Sequence, residues 1–315
     1  MRVLVTGAAG FIGTRLATAL LARDDVEELV LADVVPAPVA APRARVVTGD
    51  IRDAAFRRSL LAGGIDSVFH LAAMLTSEAE RDVAAAMAVN LLAFFEFLDE
   101  CRALGPETKF VFPSSIATFG GSLPDVVDDD VAQKPQTSYG THKAIAELLI
   151  SDYARHGLLD GRALRLPIVV IRPEPSGSVS DRVAGILREP LRGEDVVVPL
   201  APETRVPLAS VASVARALLA VHDLPSGAFG PTRAMNLPAL TVSIGEMVRA
   251  LDAYRATRKV GQVRWAPDPA LQKIVDTWPK AFVSDLAARN GIGADPSLQA
   301  IIEGFLAEEA ARAKP

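Results

Sequence analysis

Cysteine, tryptophan, tyrosine and histidine are scarce: the 315 residues hold one, two, three and four of them respectively. With a single cysteine, Cys101, no internal disulfide can form, and a reducing, cytoplasmic setting is expected. One cysteine and four scattered histidines offer no metal-ligand spacing, so no metal site is expected. Charge of one sign is nowhere concentrated. The formal net charge is −5, and no run of Lys and Arg is present to neutralise a phosphate backbone, which argues against a nucleic-acid partner. Apolar stretches are broken by charge or proline well short of the ~20 residues a bilayer crossing needs. Met1–Gly7 shows neither a basic leader nor a cleavage site, so a soluble protein with no membrane partner is expected.

What is present is hydrophobic bulk, half of the chain, in a length that suits one large α/β unit or two closely joined lobes. Arg2–Thr6, Glu28–Ala32, Arg45–Thr48, Ser67–Leu71 and Lys109–Pro113 read as short apolar strands, with helical spacing over Gly13–Arg23 and Asn90–Leu104. Continuous apolar strands alternating with amphipathic helices predict an α/β fold: a doubly wound, Rossmann-like parallel sheet with ligands at the carboxyl ends of its strands. Ala163–Ile171 reads as one further sheet strand, followed by the broken, polar loop RPEPSGSVS. Beyond it come a helix after Asp181, a strand near Val196–Val198, and helices over Ser210–His222, Ile244–Ala256 and Pro296–Ala311. The expected division is a dinucleotide-binding core over 1–165, with segments near 166–172 and 206–237 returning to it. Residues 173–205 and 238–315 would form a smaller, C-terminal substrate-binding lobe.

Gly7, Gly10 and Gly13 form a G-x-x-G-x-x-G immediately after a strand and at the opening of a helix. The first glycine permits the turn, the second lets backbone approach a pyrophosphate, and the third lets helix and strand pack closely. Amides at the helix start, around Phe11 and Ile12, would then face the phosphates. Asp33 ends the second strand, where a carboxylate accepts both ribose hydroxyls and repels a 2′-phosphate. Val34, Val35 and Pro36 supply no cation, so NAD is preferred over NADP. Asp50, followed by Ile51, either meets the adenine amine or caps the helix beginning near Arg52. His70 reads as a packed core histidine rather than a catalyst. The small-residue backbone of Leu71, Ala72 and Ala73 is the better cofactor contact.

Tyr139 and Lys143 lie four apart and share a helix face. A free phenol, pKa ~10, is a poor base at neutral pH. A lysine cation ~4 Å away at an effective dielectric of ~20 is worth about 4 kcal/mol, enough to bring the phenol toward neutrality. Ser115, at a strand end, can hold the substrate oxygen whose proton Tyr139 takes.

TGAAGFIG, Asp33, GDIRD, FHLAA, Asn90, SSIATFG and Pro135 with SYGTHK together resemble the extended short-chain dehydrogenase/reductases of the NAD-dependent epimerase/dehydratase family. The resemblance implies an NAD-dependent enzyme with Ser115, Tyr139 and Lys143 catalytic and Lys143 also on the nicotinamide ribose. Ser115 is taken over Ser114 because it stands five residues before Gly120, as the family's catalytic residue does. Asn90 would touch the cofactor side or organise the site, and Pro167 with Ile168 would border the nicotinamide. SSIATFGGSLPDVV, DGRALRLP, REPLRGED and IVDTWPKAF are similar to the D-erythronate dehydrogenase group, which oxidises the 2-hydroxyl of four-carbon sugar acids. That implies a small hydroxy-acid or sugar-acid substrate, with Thr76, Ser115, Arg172 and Arg182 as candidate contacts; for the arginines a plain surface role stands as the alternative. The chain departs from the group at Ile168 and at Glu174, where the group has threonine and glycine. Nucleotide-sugar epimerase or dehydratase is the second reading and a non-catalytic NAD-binding protein the third. Family likeness also implies a homodimer through the helices around Asn90–Leu104 and Tyr139–Ala154, although Ala93-Phe94-Phe95 and Leu148-Leu149-Ile150 would serve equally as internal core.

Overall fold

In the computed structural model, which describes residues 1–171 and 178–312, Val3, Leu4 and Val5 are all fully buried. Successive side chains point to opposite faces of a strand, so this opening strand is covered on both sides. The strands run in chain order as β1 (Arg2–Thr6), β2 (Glu28–Asp33), β3 (Ala44–Thr48), β4 (Ser67–His70) and β5 (Lys109–Ser115). Next come β6 (Val126–Val127), β7 (Asp160–Leu166), β8 (Ile168–Val170), β9 (Val196–Val198) and β10 (Arg205–Ser210). Last are β11 (Ala234–Asn236), β12 (Leu240–Ser243), β13 (Val263–Trp265) and β14 (Ala281–Phe282). The helices that matter below begin with α1 (Phe11–Leu21), α2 (Ala54–Leu61), α3 (Thr76–Arg81) and α4 (Val83–Met87). They continue with α5 (Phe94–Cys101), α6 (Ser138–Arg155), α7 (Val179–Leu191) and α8 (Val211–Asp223).

By contact the chain forms two compact units. The first comprises Met1–Thr118, Pro135–Arg165 and Ala215–Met235. It is built on a seven-stranded sheet of order β11-β7-β5-β4-β1-β2-β3. The ladders from β3 across to β5 are parallel, giving the Rossmann-like sheet the sequence predicts. One face carries Leu4, Val30, Val68 and Phe110 against Phe94 and Phe97 of α5 and Ile150 of α6. On the other face His222 of α8 stacks on Phe69 at 5.4 Å. The direction of strand order reverses at β1, which lies between β2 and β4. A crevice outside the carboxyl ends of β1 and β4 is therefore where this topology offers a ligand site.

The second unit holds Phe119–Lys134, Leu166–Val214 and the chain from Asn236 onward. Its three-stranded sheet, β12-β10-β8, is mixed: β10 pairs parallel with β8 and antiparallel with β12. Two small parallel pairs, β13 with β9 and β14 with β6, accompany it. Ile186 and Leu187 of α7, Leu208, Met247, Ile302 and Phe305 form its core.

Three expectations need correction. Ala163–Ile171 is not one strand. It divides at Pro167 into β7, which belongs to the seven-stranded sheet, and β8, which pairs with β10. Proline has no N–H to continue a ladder, so the apolar run changes sheets there. The helix expected over Asn90–Leu104 is composite: a π-helical turn at Ala88–Ala93, then α5, then a 3-10 turn at Arg102–Leu104. The helix expected over Ile244–Ala256 likewise stops being α-helical at Ala250 and continues as a 3-10 turn over Leu251–Tyr254.

Candidate active site

The turn after β1 is held against the turn after β4. Gly7 has φ +68°, and a Cβ there would lie 2.6 Å from the Leu71 carbonyl carbon and 2.7 Å from the Ala72 amide nitrogen. A side chain at Gly13 would meet the Gly7 carbonyl oxygen at 2.2 Å. These two contacts fix α1 close behind the loop. Gly10 is the N-cap of α1 and offers no side-chain oxygen to its first turn. The amides around Phe11, Ile12 and Gly13 thus have no capping group to compete with an anion. Asp33 is fixed to the same loop, accepting from the Ala9 amide at 2.9 Å and the Val34 amide at 2.7 Å. A cradle only glycine can line, an uncapped helix start and a carboxylate at the end of β2 fit a dinucleotide.

Asp50 is closed on its own neighbour, with Arg52 Nη2 at 2.5 Å. That guanidinium holds the carboxyl below its ordinary range. The helix cap considered for Asp50 belongs to Asp53, which accepts from the amides of Ala55 and Phe56. Ile51 is buried. The segment after β4 is tied down at two points. Leu71 and Ala72 donate to the carbonyl and hydroxyl of Thr6, and Asn90 brackets Met74, donating to its carbonyl at 2.9 Å and accepting from its amide at 2.8 Å. Asn90 lies in the π-helical turn, a local defect common near functional sites. Its amide is spent on shaping the backbone between Ala73 and Thr76, where α3 starts. His70 is a core residue: it bonds Thr6 Oγ1 at 2.9 Å and lies among the rings of Phe94, Phe97, Phe110 and Phe112. Burial, then the nearby Lys143, push it down to about 3, so it stays neutral.

Ser114 and Ser115 end β5 and point differently. Ser114 is buried and donates to Glu147. Ser115 is half-buried, and its Oγ accepts from the Ala117 amide at 3.1 Å. Helix α6 starts beside this turn, capped by Thr137 on the Gly140 amide. A Cβ on Gly140 would sit 2.0 Å from the Ala117 carbonyl oxygen. This glycine, between Tyr139 and Lys143, sets how closely the helix approaches the Ser115 turn. Its only mark in the sequence is its place in SYG, between the tyrosine and the lysine. Lys143 is buried; its Nζ donates to the Pro113 carbonyl at 2.7 Å and lies 4.1 Å over the Phe112 ring. The Tyr139 ring centroid is 5.6 Å away. Burial lowers Lys143 to about 7, with Glu147 opposing.

Every expected site residue from Gly7 to Lys143 lies in the first unit. Pro167, Ile168 and Arg182 lie in the second, and Arg172 and Glu174 fall outside the described residues. Arg182 is exposed and stands 3.8 Å from Asp268. Among the described residues no cluster of three or more His, Cys, Asp or Glu is placed to hold a metal, and no helix is long and apolar enough to cross a membrane.

The family model of the NAD dependent epimerase/dehydratase family matches residues 3–236. The chain belongs to this family. As a member of it, the protein is 41% identical over 325 aligned positions to D-erythronate dehydrogenase from Cupriavidus necator, covering 100% of both chains. It is 37% identical to the enzyme of that name from Haemophilus influenzae, covering 97% of this chain and 99% of the other. Among solved structures, a nucleoside-diphosphate-sugar epimerase from Agrobacterium tumefaciens matches with TM-score 0.92 and 32% identity, over 99% of this chain and 95% of the other. Family membership, with these dehydrogenases among the relatives, makes the chain an NAD-dependent oxidoreductase of the extended short-chain type.

Proposed function

We propose that the protein oxidises the 2-hydroxyl of a small sugar acid, D-erythronate or a close analogue, to the 2-oxo acid. The observation that carries this reading is the buried Lys143 ammonium, 5.6 Å from the Tyr139 ring on one helix face, beside the half-buried Ser115. Ser115 Oγ holds the substrate hydroxyl, and Tyr139, as phenolate, takes its proton. Lys143 stabilises that phenolate and reaches the cofactor ribose. NAD, when bound, supplies the acceptor for the hydride leaving the same carbon. The glycine cradle and Asp33 place the cofactor, and Asn90 shapes the wall after β4. The choice of a sugar acid is supported by the end-to-end likeness to two D-erythronate dehydrogenases.

A second reading, interconversion of a nucleotide sugar, is favoured by the likeness to the Agrobacterium protein. One screen separates them. Purified protein is given D-erythronate, other aldonates, uronates and simple 3-hydroxy acids with NAD, and Tyr139→Phe serves as control. NADH formation that is lost in Tyr139→Phe is expected; conversion of a UDP-sugar without net NADH would overturn the dehydrogenase reading.

The protein is further proposed to be a homodimer. Of the residues expected at the interface, Ala93, Phe94 and Ile150 are buried in the core, whereas Phe95 and Leu148 are exposed at 44% and 68%. Met87 and Leu92 are exposed as well. Exposed apolar side chains on α4, the π-helical turn, α5 and α6 are what a helical interface between copies would cover.

A further inference from the structure

Behind the Tyr139–Lys143 pair lies a buried charge network that the proton transfer just described does not use. Glu147 stands one helical turn beyond Lys143 on α6 and is 3% exposed. Its carboxylate accepts from Arg165 Nε at 3.1 and 3.0 Å and from Nη2 at 2.9 Å. It also accepts from the Ser114 hydroxyl. Arg165 and Ser114 are as deeply buried, at 4% and 2%. The residue before Ser114 is Pro113, whose carbonyl holds Lys143 Nζ. Adjacent residues of β5 therefore anchor the two opposite charges of α6.

A lysine out of water loses its proton readily unless an anion faces it. Among the described residues, Tyr139, His142 and Glu147 share the helix of Lys143, His70 lies on β4 and Arg165 on β7, while Glu80 of α3 accepts from the Ser138 amide at the start of that helix. Burial keeps His70 and His142 below their ordinary values and hence neutral. Glu147 is the acid whose attraction opposes the desolvation of Lys143.

Taking one proton from the pair phenol plus ammonium yields either phenolate plus ammonium or phenol plus amine. The two products have the same proton count, but only the first can accept a proton from a hydroxyl. We propose that the Glu147 carboxylate, fixed by Arg165 and Ser114, selects the first: it keeps the proton on Lys143 so that Tyr139 is the group that ionises. Glu147 is thus a positioning residue acting through Lys143, and its role rests on Tyr139 being the base as proposed above.

The tyrosines of the chain are Tyr139, Tyr153 and Tyr254. Subtracting the ultraviolet phenolate titration of Tyr139→Phe from that of the full-length protein isolates Tyr139, with no substrate needed. Glu147→Gln is expected to raise the Tyr139 midpoint by about one pH unit or more and to lower kcat near neutrality about tenfold. Arg165→Met breaks the same ion pair but removes the repelling cation, so its midpoint is expected to stay or fall. Removing one partner of a buried pair is strongly destabilising. Glu147→Asp, which keeps both charges and draws the carboxylate back, therefore provides a folded intermediate with a smaller upward shift. Equal shifts of one sign in Glu147→Gln and Arg165→Met, or none in Glu147→Gln and Glu147→Asp, overturn the proposal. Shifts as expected in a protein that oxidises no hydroxy acid would instead overturn the dehydrogenase reading.

Discussion

Gly140→Ala isolates the geometry of the site from its chemistry, because it touches neither Ser115, Tyr139 nor Lys143. The added Cβ would lie 2.0 Å from the Ala117 carbonyl oxygen and 2.8 Å from its carbonyl carbon, both backbone, and 3.1 Å from Thr137 Oγ1. Ordinary contact requires retreat by more than an ångström, and no flexible side-chain end is available to yield it. The start of α6 must move away from the turn after β5. Stability changes modestly, since overpacking costs ~1–3 kcal/mol while alanine gains ~1 kcal/mol over glycine inside a helix. For a chain of this size that is a fall of a few °C in Tm. Catalysis is more sensitive: displacing reacting groups by about 1 Å costs on the order of 10²-fold. The expected result is kcat/KM for the oxidised hydroxy acid reduced about 100-fold, with NAD affinity by calorimetry within a factor of about three. A variant that keeps kcat/KM within twofold of wild type, with the helix demonstrably formed, would refute the spacing argument.

Gly7→Ala should act on the cofactor instead, since its Cβ meets the backbone of Leu71 and Ala72 and its φ of +68° is a left-handed conformation. NAD affinity is expected to weaken more than tenfold together with a loss of ~1–3 kcal/mol in stability; unchanged affinity would contradict the cradle. The Tyr139–Lys143 pair leads to a pH prediction with a definite sign. Burial lowers Lys143 in the fold to about 7, and Tyr139 competes for the same loss, so the pair sheds one proton at a lower pH in the fold than the ~10 at which a free phenol and ammonium titrate. Over that range the unfolded chain binds the extra proton and stability rises with pH, whichever of the two groups ionises. Lys143→Met is expected to flatten that rise, and parallel pH–stability curves for the two proteins would count against it. Phe95→Glu with Leu148→Glu is expected to convert a dimer in sedimentation into monomer with Tm little changed, and a wild type that sediments as a monomer would dismiss the interface.

Local features were readable from the sequence. The glycine loop, Asp33 and the Tyr139–Lys143 spacing each act within a few residues of chain, so periodicity and turn chemistry suffice to place them. What depended on contacts across the chain was not. Nothing in ALRLPIVVI says that its two halves belong to different sheets; only the missing N–H of Pro167 marked the place. Asp50 and Asp53 look alike as caps until the start of α2 is known. Asn90 bracketing Met74, Gly140 against Ala117 and Glu147 against Arg165 are partnerships between distant elements, and no single-residue property announces them. The charge of Lys143 is conditional on its burial, which a sequence argument that treats every lysine as a fixed cation cannot anticipate.

The serine pair at the end of β5 shows how alternation converts two like residues into two different functions. Along a strand, neighbours face opposite sides, so Ser114 and Ser115 could not both reach the same partner. Ser114 enters the core and meets Glu147, and Ser115 remains half-buried at the strand end, where Tyr139 begins its helix alongside. The distance from Gly120 that singles out Ser115 contains nothing of this difference in burial. An exchange of chemistry at each position tests it: Ser115→Ala should lose turnover while leaving Tm nearly unchanged, since only a part-exposed hydroxyl is removed. Ser114→Ala should lose one buried hydrogen bond to a charged group, ~1.5–3 kcal/mol of stability, and keep most of its turnover. If the two variants exchanged these phenotypes, the hydroxyl nearer the substrate would be Ser114, and the alternation of β5 would have to be read the other way.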